Sequence, residues 1–243
     1  MIPKIIHYCW FGRGELPELA KKCIDSWQKF LPEYEIKVWN EDNFDLDLYP
    51  YTREAYDSRK FAFVTDVVRL YALYTEGGIY MDTDVEVVRP LDEFLHHTAF
   101  SGFENESDIP TGIMASEKGS KWAKNNLDYY SERHFIRKDG SLDMTTNVET
   151  ITNLMLPYGL KQNNTYQDFK DYVTFYPNDY FCPINTTTGK LNRTCNTATI
   201  HHFSGSWVDY KGGAMKRKIR NLLPGWLLLL FNRVVRKKMG LRK

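Results

Sequence analysis

Two adjacent glycines, Gly77 and Gly78, separate segments of opposite periodicity, and that junction restricts the fold more than any other feature of the chain. Upstream, residues 60–76 place Phe63, Val67, Leu70, Tyr71 and Tyr74 on one helical face. Downstream, Ile79-Tyr80-Met81 reads as a strand, and Val85-Glu86-Val87-Val88 resumes it before Pro90. The glycine pair is a strong helix stop. The same alternation occurs earlier. Residues 4–11 read as a buried strand ended by Gly12 and Gly14. Residues 17–30 set Leu19, Cys23, Trp27 and Phe30 at helical spacing behind Pro17, and residues 35–39 alternate as a strand does. Strands alternating with helices predict an α/β fold with a mainly parallel central sheet. Residues 99–165 are mixed in pattern. Residues 172–184 form a further aromatic, strand-like region broken by Pro177 and Pro183. No repeat or linker marks a second domain within residues 1–210.

Charge divides the chain where periodicity does not. The formal net charge of the 243 residues is +1. Eleven of the 32 basic residues lie from Lys211 to Lys243, a stretch without Asp or Glu, which leaves 21 bases against 31 acids in the first 210 residues. The result is an acidic body with a basic tail. An acidic body argues against nucleic acid as a partner. A hydrophobic share of 42% and an aromatic share of 15% exclude a disordered chain. The first residues run directly into a strand pattern, so no secretory leader is expected. No apolar run approaches the roughly 20 residues of a membrane span. The four cysteines, Cys9, Cys23, Cys182 and Cys195, fit no zinc spacing. They are expected to be reduced thiols of a cytoplasmic protein.

Four groups of residues carry chemistry. The sharpest is Asp82-Thr83-Asp84, directly after the glycine stop. Two carboxylates at i and i+2 of an extended segment share a face. At the carboxyl end of a strand in an α/β sheet they suit Mg²⁺ or Mn²⁺ held against phosphate oxygens, although an isolated pair of this kind is more often a solvated turn. Asp66 and Arg69 share a face of the preceding helix at i and i+3. They read either as a plain ion pair or as a hydroxyl acceptor beside a fork for phosphate or sugar oxygens. His201-His202-Phe203-Ser204-Gly205-Ser206-Trp207 offers an imidazole to a metal and a small-residue backbone to a phosphate, or else is a loop with two surface histidines. His7-Tyr8-Cys9-Trp10-Phe11 ends the first strand. Trp10 or Phe11 can stack on a nucleobase, while His7 and Tyr8 also read as packed core residues.

These groups, in this order, resemble glycosyltransferase family 32. Ile2-Pro3-Lys4-Ile5-Ile6-His7 and Trp10 resemble its opening strand. The block from Ala62 to Val85, with Asp66, Arg69, Gly77, Gly78, Tyr80, Asp82 and Asp84, resembles its most specific signature. Its spacing is also similar to that of the glucosyltransferase domains of large clostridial toxins. The resemblance covers roughly residues 1–207. It implies a GT-A type, Rossmann-like domain and a retaining transfer from a nucleotide sugar, with a UDP-hexose favoured. It also implies these roles: Trp10 on the base, Asp66 on donor-sugar hydroxyls and Arg69 at the diphosphate-sugar region. Asp82 and Tyr80 would line the nucleotide site, Asp84 and His202 would join Asp82 as ligands of Mn²⁺ or Mg²⁺, and Gly205, Ser206 and Trp207 would close over the diphosphate. Where some members have Thr-Gly-Pro near the acceptor side, this chain has Thr146-Asn147-Val148.

The tail, residues 211–243, sets basic residues around a Leu/Trp/Phe cluster. It reads as an amphipathic helical anchor on an anionic membrane surface, or as a last helix packed on the body. An anchor would place the enzyme on the inner face of the cytoplasmic membrane, near a lipid-linked acceptor in surface polysaccharide or capsule synthesis. The competing readings are a toxin-like transferase acting on protein and a non-catalytic sugar-nucleotide or glycan-binding module.

Overall fold

The computed structural model describes residues 1–205, so Ser206, Trp207 and the basic tail lie outside the described residues. In chain order the elements are β1 (Ile5–Cys9), α1 (Glu18–Phe30), β2 (Glu35–Trp39), α2 (Pro50–Asp57), α3 (Phe61–Thr75), β3 (Gly78–Met81), β4 (Val85–Val87), β5 (Ala99–Gly102), β6 (Ile113–Ser116), α4 (Lys121–Asp128), α5 (Asn147–Met155), β7 (Gln167–Phe169), β8 (Val173–Tyr176), α6 (Asn178–Phe181) and β9 (Thr199–His201). The elements expected at 4–11, 17–30, 35–39, 60–76 and 79–81 are all present. Two expectations need correction. Residues 85–88 do not resume the preceding strand: β4 leaves the main sheet and pairs with β9 instead. The aromatic region at 172–184 is one strand, β8, followed by the short helix α6, because Pro177 ends the strand and serves as the helix cap.

The main sheet has the order β2-β1-β3-β6-β5-β8-β7. β1 pairs in parallel with β2 and β3, and β5 with β8, whereas β6 and β7 run against their neighbours. Five of the seven strands therefore share one direction, the mainly parallel α/β sheet expected from the sequence. A separate antiparallel ribbon is formed by β4 and β9, with Val85 opposite His201.

Alternation along the strands divides the core between the two faces of the sheet. Ile6, Ile79, Met81, Ile113 and Ala115 pack with Trp27 of α1 on one face. Cys9, Tyr80 and Met114 pack with Val64, Val67 and Val68 of α3 on the other. Helix α3 is more enclosed than a single stripe requires. Phe63, Val64, Val67, Val68, Leu70, Ala72 and Leu73 are all buried, and so are Asp66 and Arg69. A helix apolar nearly all round belongs inside a protein, and the charges it buries there need partners.

The glycine junction aligns this helix with the strand that follows it. Gly77 has φ +73 and Gly78 φ +110, values that disfavour side chains. A Cβ on Gly78 would lie 2.6 Å from the Ile5 carbonyl oxygen and 3.1 Å from His7 Nε2. His7 is fully buried between the two turns: Trp39 Nε1 donates to His7 Nδ1 at 3.1 Å, and His7 Nε2 donates to the Gly77 carbonyl at 2.7 Å. Burial lowers its pKa, so it is a neutral structural histidine. Gly78→Ala is expected to destabilise the fold by roughly 2 kcal/mol or more, through backbone strain and a clash with main-chain atoms that cannot yield. Urea unfolding would measure it; an unchanged midpoint would contradict the tight junction.

Candidate active site

Asp82 and Asp84 follow the carboxyl end of β3, and Asp66 and Arg69, from the middle of α3, reach the same place. Asp82-Thr83-Asp84 is a tight turn between β3 and β4, not an extended strand: the Val85 N–H donates to the Asp82 carbonyl at 3.0 Å. The two carboxylates come together through this turn rather than through strand alternation. The Asp82 N–H donates to the Gly112 carbonyl at 2.8 Å, which fastens the turn to the start of β6.

Arg69 lies at the centre of the site. It is 4% exposed, and its guanidinium is fully engaged with protein groups. Nη2 meets Asp66 Oδ1 at 3.1 Å, and Nη1 lies 3.5 Å from Asp82 Oδ1. Nη1 also donates to the Thr111 carbonyl at 2.5 Å, Nε to the Thr65 carbonyl at 3.3 Å, and the plane stacks 4.7 Å from the Tyr80 ring. Tyr80 in turn donates its hydroxyl to Asp82 Oδ1 at 2.6 Å. The ion-pair reading of Asp66 and Arg69 is therefore the one this geometry favours: the fork is turned to protein acceptors. Desolvation pushes the Asp66 carboxyl up to about 7, against the pull of Arg69. Asn147 Nδ2, at the start of α5, donates to the Asp66 backbone carbonyl at 3.1 Å, which brings the Thr146-Asn147-Val148 segment to this side of the site.

Asp84 is held from the other direction. Its carboxylate Oδ2 accepts from the Ser204 N–H at 2.7 Å, and Oδ1 lies 3.2 Å from His201 Nε2. Desolvation opposes its charge, yet the bonds from His201 and Ser204 outweigh it and hold the carboxyl well below the usual range. The His201 imidazole is likewise disfavoured in its charged form by burial, but Asp84 raises its pKa well above the ordinary value. The Phe203 ring lies 4.0 Å from that of His201, and Gly205 follows at φ +62.

One ligand atom each from Asp82, Asp84 and His201 lies within 4.8 Å of the others. This set includes His201 where the resemblance implied His202. The reason is strand alternation in the β4–β9 ribbon. His201, opposite Val85, is 8% exposed and turned toward Asp84. His202, one residue on, points the other way and sits 3.0 Å from Glu86 Oε2, while its backbone N–H donates to the Asp84 carbonyl. Two carboxylates and an imidazole could hold a divalent metal ion. His201 Nδ1 is buried without a hydrogen-bond partner. The ring also occupies a seat that only glycine leaves open: a Cβ on Gly112 would come within 2.6 Å of His201 Cε1. Sequence reasoning included His201 in the candidate stretch while the resemblance pointed to His202, and it missed Thr111 and Gly112. The one available signal was a glycine directly before the apolar run at 113–116, and nothing tied it to a histidine ninety positions away.

Trp10 follows β1 at the same edge of the sheet. It is half-buried, and its indole N–H donates to the Gly14 carbonyl at 2.6 Å. The four cysteines are free thiols, with Cys9, Cys23 and Cys182 buried and Cys195 exposed. No helix among the described residues is long and apolar enough to cross a membrane.

Residues 17–101 match the family described as "Glycosyltransferase sugar-binding region containing DXD motif". Inositol phosphoceramide mannosyltransferase 3 of Schizosaccharomyces pombe is 38% identical over 126 residues, which is 49% of this chain and 34% of that protein. An uncharacterized glycosyltransferase of Acanthamoeba polyphaga mimivirus is 26% identical over 220 residues, 86% of this chain and 85% of its own. This chain thus spans about a third of the length of the first fungal relative. The solved PaToxG glycosyltransferase aligns with 65% of this chain and 70% of its own at a TM-score of 0.49 and 18% identity. Residues 17–101, with Asp82-Thr83-Asp84 as the motif, are thus similar to the sugar-binding region of glycosyltransferases that contains a DXD motif.

Proposed function

We propose that this chain is a retaining, metal-dependent hexosyltransferase that moves a hexose from a nucleotide sugar, a UDP-hexose being favoured, to a hydroxyl of a glycan or lipid-linked acceptor. The observation that carries this reading is the convergence of Asp82, Asp84 and His201 beside the buried Arg69. Relatives named for mannosyl transfer to inositol phosphoceramide support a lipid-borne acceptor. They are fungal, so the acceptor is proposed by class; a bacterial surface polysaccharide is one member of it.

Transfer breaks the bond between the anomeric carbon and the diphosphate and forms a bond from that carbon to the acceptor oxygen. In a front-face route the departing phosphate oxygen takes the acceptor proton. Asp82, Asp84 and His201 would hold a divalent cation, which when bound supplies positive charge against the departing diphosphate. Arg69 acts as a strut that fixes Asp82 and Asp66, and its charge adds to the field at the site. Asp66 Oδ1 is paired with Arg69, and the second oxygen of its carboxyl would accept from a sugar hydroxyl. Trp10 offers an aromatic face to the base, and the backbone around Ser204 and Gly205 fixes Asp84.

Asp84→Ala is expected to lower Mn²⁺-dependent hydrolysis of the donor by about 100-fold or more, the scale of one lost electrostatic stabiliser of a transition state. A panel of UDP-hexoses and GDP-mannose, scored by slow hydrolysis, measures this without a known acceptor. Hydrolysis at the wild-type rate would remove the metal-site reading.

Metal affinity is expected to rise with pH. His201 is held protonated by Asp84, and a cation must displace that proton, so binding is opposed at low pH and released as pH rises. Calorimetric titration with Mn²⁺ at about pH 6 and about pH 8 reads the sign. Equal or weaker binding at the higher pH would exclude His201 as a ligand.

We further propose that residues 211–243 bind the anionic cytoplasmic face of a membrane, each basic residue near the surface adding about 1 kcal/mol. Flotation with anionic liposomes should retain the full chain and lose a chain ending near Tyr210. Equal flotation of both would place membrane binding elsewhere.

A further inference from the structure

The loop from β5 to β6 ends on two residues of the site: Thr111, whose carbonyl takes Arg69, and Gly112, on which the His201 ring rests. Its other end begins with Phe103 and Glu104. β5 and β3 run in the same direction, so Glu104 leaves the sheet at the edge where Asp82 does.

The loop is braced at several points. The Glu104 N–H donates to the Asp108 carbonyl at 2.9 Å, and the Phe103 N–H to the Tyr176 carbonyl at 2.9 Å. Asn105 Oδ1 accepts from the Ser107 and Asp108 N–H groups at 2.8 and 3.0 Å. The Ile109 N–H donates to Thr152 Oγ1 at 3.0 Å, and Ser101 Oγ to the Ile113 carbonyl at 2.8 Å. The backbone that carries Glu104 is therefore positioned by contacts of its own, independent of any ligand.

The Glu104 side chain lacks equivalent support. It is half-buried and lies within electrostatic reach of His201, Asp108 and Asp82. Among the described residues no Lys or Arg pairs with it. The side-chain donor directed at it is Asn105 Nδ2, at 3.5 Å, the limit of a hydrogen bond. Burial pushes its carboxyl up to about 7. Beyond that one long contact, no donor is directed at the Glu104 carboxyl among the described residues. A diphosphate would bring only acceptors and more negative charge, whereas a sugar brings hydroxyl donors.

We propose that Glu104 is a specificity-determining residue that accepts hydrogen bonds from hydroxyls of the hexose being transferred. This rests on reading the Asp82-Asp84-His201 cluster as a nucleotide-sugar site. Glu104 acts on the sugar and not on the nucleotide, so bare nucleotides and nucleotide sugars should respond differently to its loss.

Binding in the presence of Mn²⁺ separates the two. Dissociation constants for UDP and GDP, and for UDP-glucose, UDP-galactose and GDP-mannose, would be measured on the wild-type chain, Glu104→Gln and Glu104→Ala. The bare nucleotide that binds the wild type should keep its affinity within about twofold in both variants, which also shows that they are folded. The matching nucleotide sugar should bind Glu104→Ala about 10-fold more weakly or worse. Glu104→Gln, whose amide carbonyl still accepts, should recover part of that loss. Equal weakening of nucleotide and nucleotide sugar, or no weakening of either, would overturn the assignment of Glu104 while leaving the nucleotide site standing. Failure of every nucleotide to bind the wild-type chain would instead overturn the reading beneath it.

Discussion

A buried guanidinium organises this site. Arg69 joins three segments that are remote in sequence: Asp66 on its own helix, Asp82 after β3, and the Thr111 carbonyl before β6. Burying such a charge is unfavourable unless it is paired and hydrogen-bonded. Arg69 meets both conditions, and its partners are thereby held in place. Removing one member of a buried ionic group leaves the rest uncompensated, at a typical cost of about 3–5 kcal/mol. The carboxylates are thus set in position before any ligand arrives, which is what a site that stabilises developing charge requires.

The strut works because α3 and β3 are joined without slack. Gly77 and Gly78 turn the chain from helix to strand, and the close approach of Gly78 to Ile5 lays β3 against β1. The aspartate turn then leaves the sheet at the carboxyl end of β3. β4 crosses into a ribbon with β9, and that ribbon brings His201 to Asp84 from the far end of the described chain. A local signal, two glycines, therefore sets a long-range geometry.

Much of this was legible in the sequence, for physical reasons that differ from place to place. The helices and strands of residues 4–81 follow period and punctuation, and both are local. Asp82 and Asp84 were recognised as a pair, although through strand alternation when a turn in fact brings them together. Two adjacent histidines are indistinguishable in sequence until strand register sets one, His201, beside Asp84 and the other, His202, beside Glu86. Gly112 was not legible at all: its missing Cβ matters only because a histidine from another strand lies over it. Arg69 was seen as a companion of Asp66, but its engagement with Thr111 depends on a loop that residues 99–165 did not resolve by pattern.

The central claim is that Asp82, Asp84 and His201 form one metal site, with His202 outside it. Manganese binding followed by electron paramagnetic resonance on His201→Ala and His202→Ala tests it most directly. His201→Ala should lose affinity by about 10-fold or more, and His202→Ala should bind as the wild type does. The reverse pattern would mean that the ribbon is read in the wrong register, and wild-type binding by both would mean that no histidine completes the site.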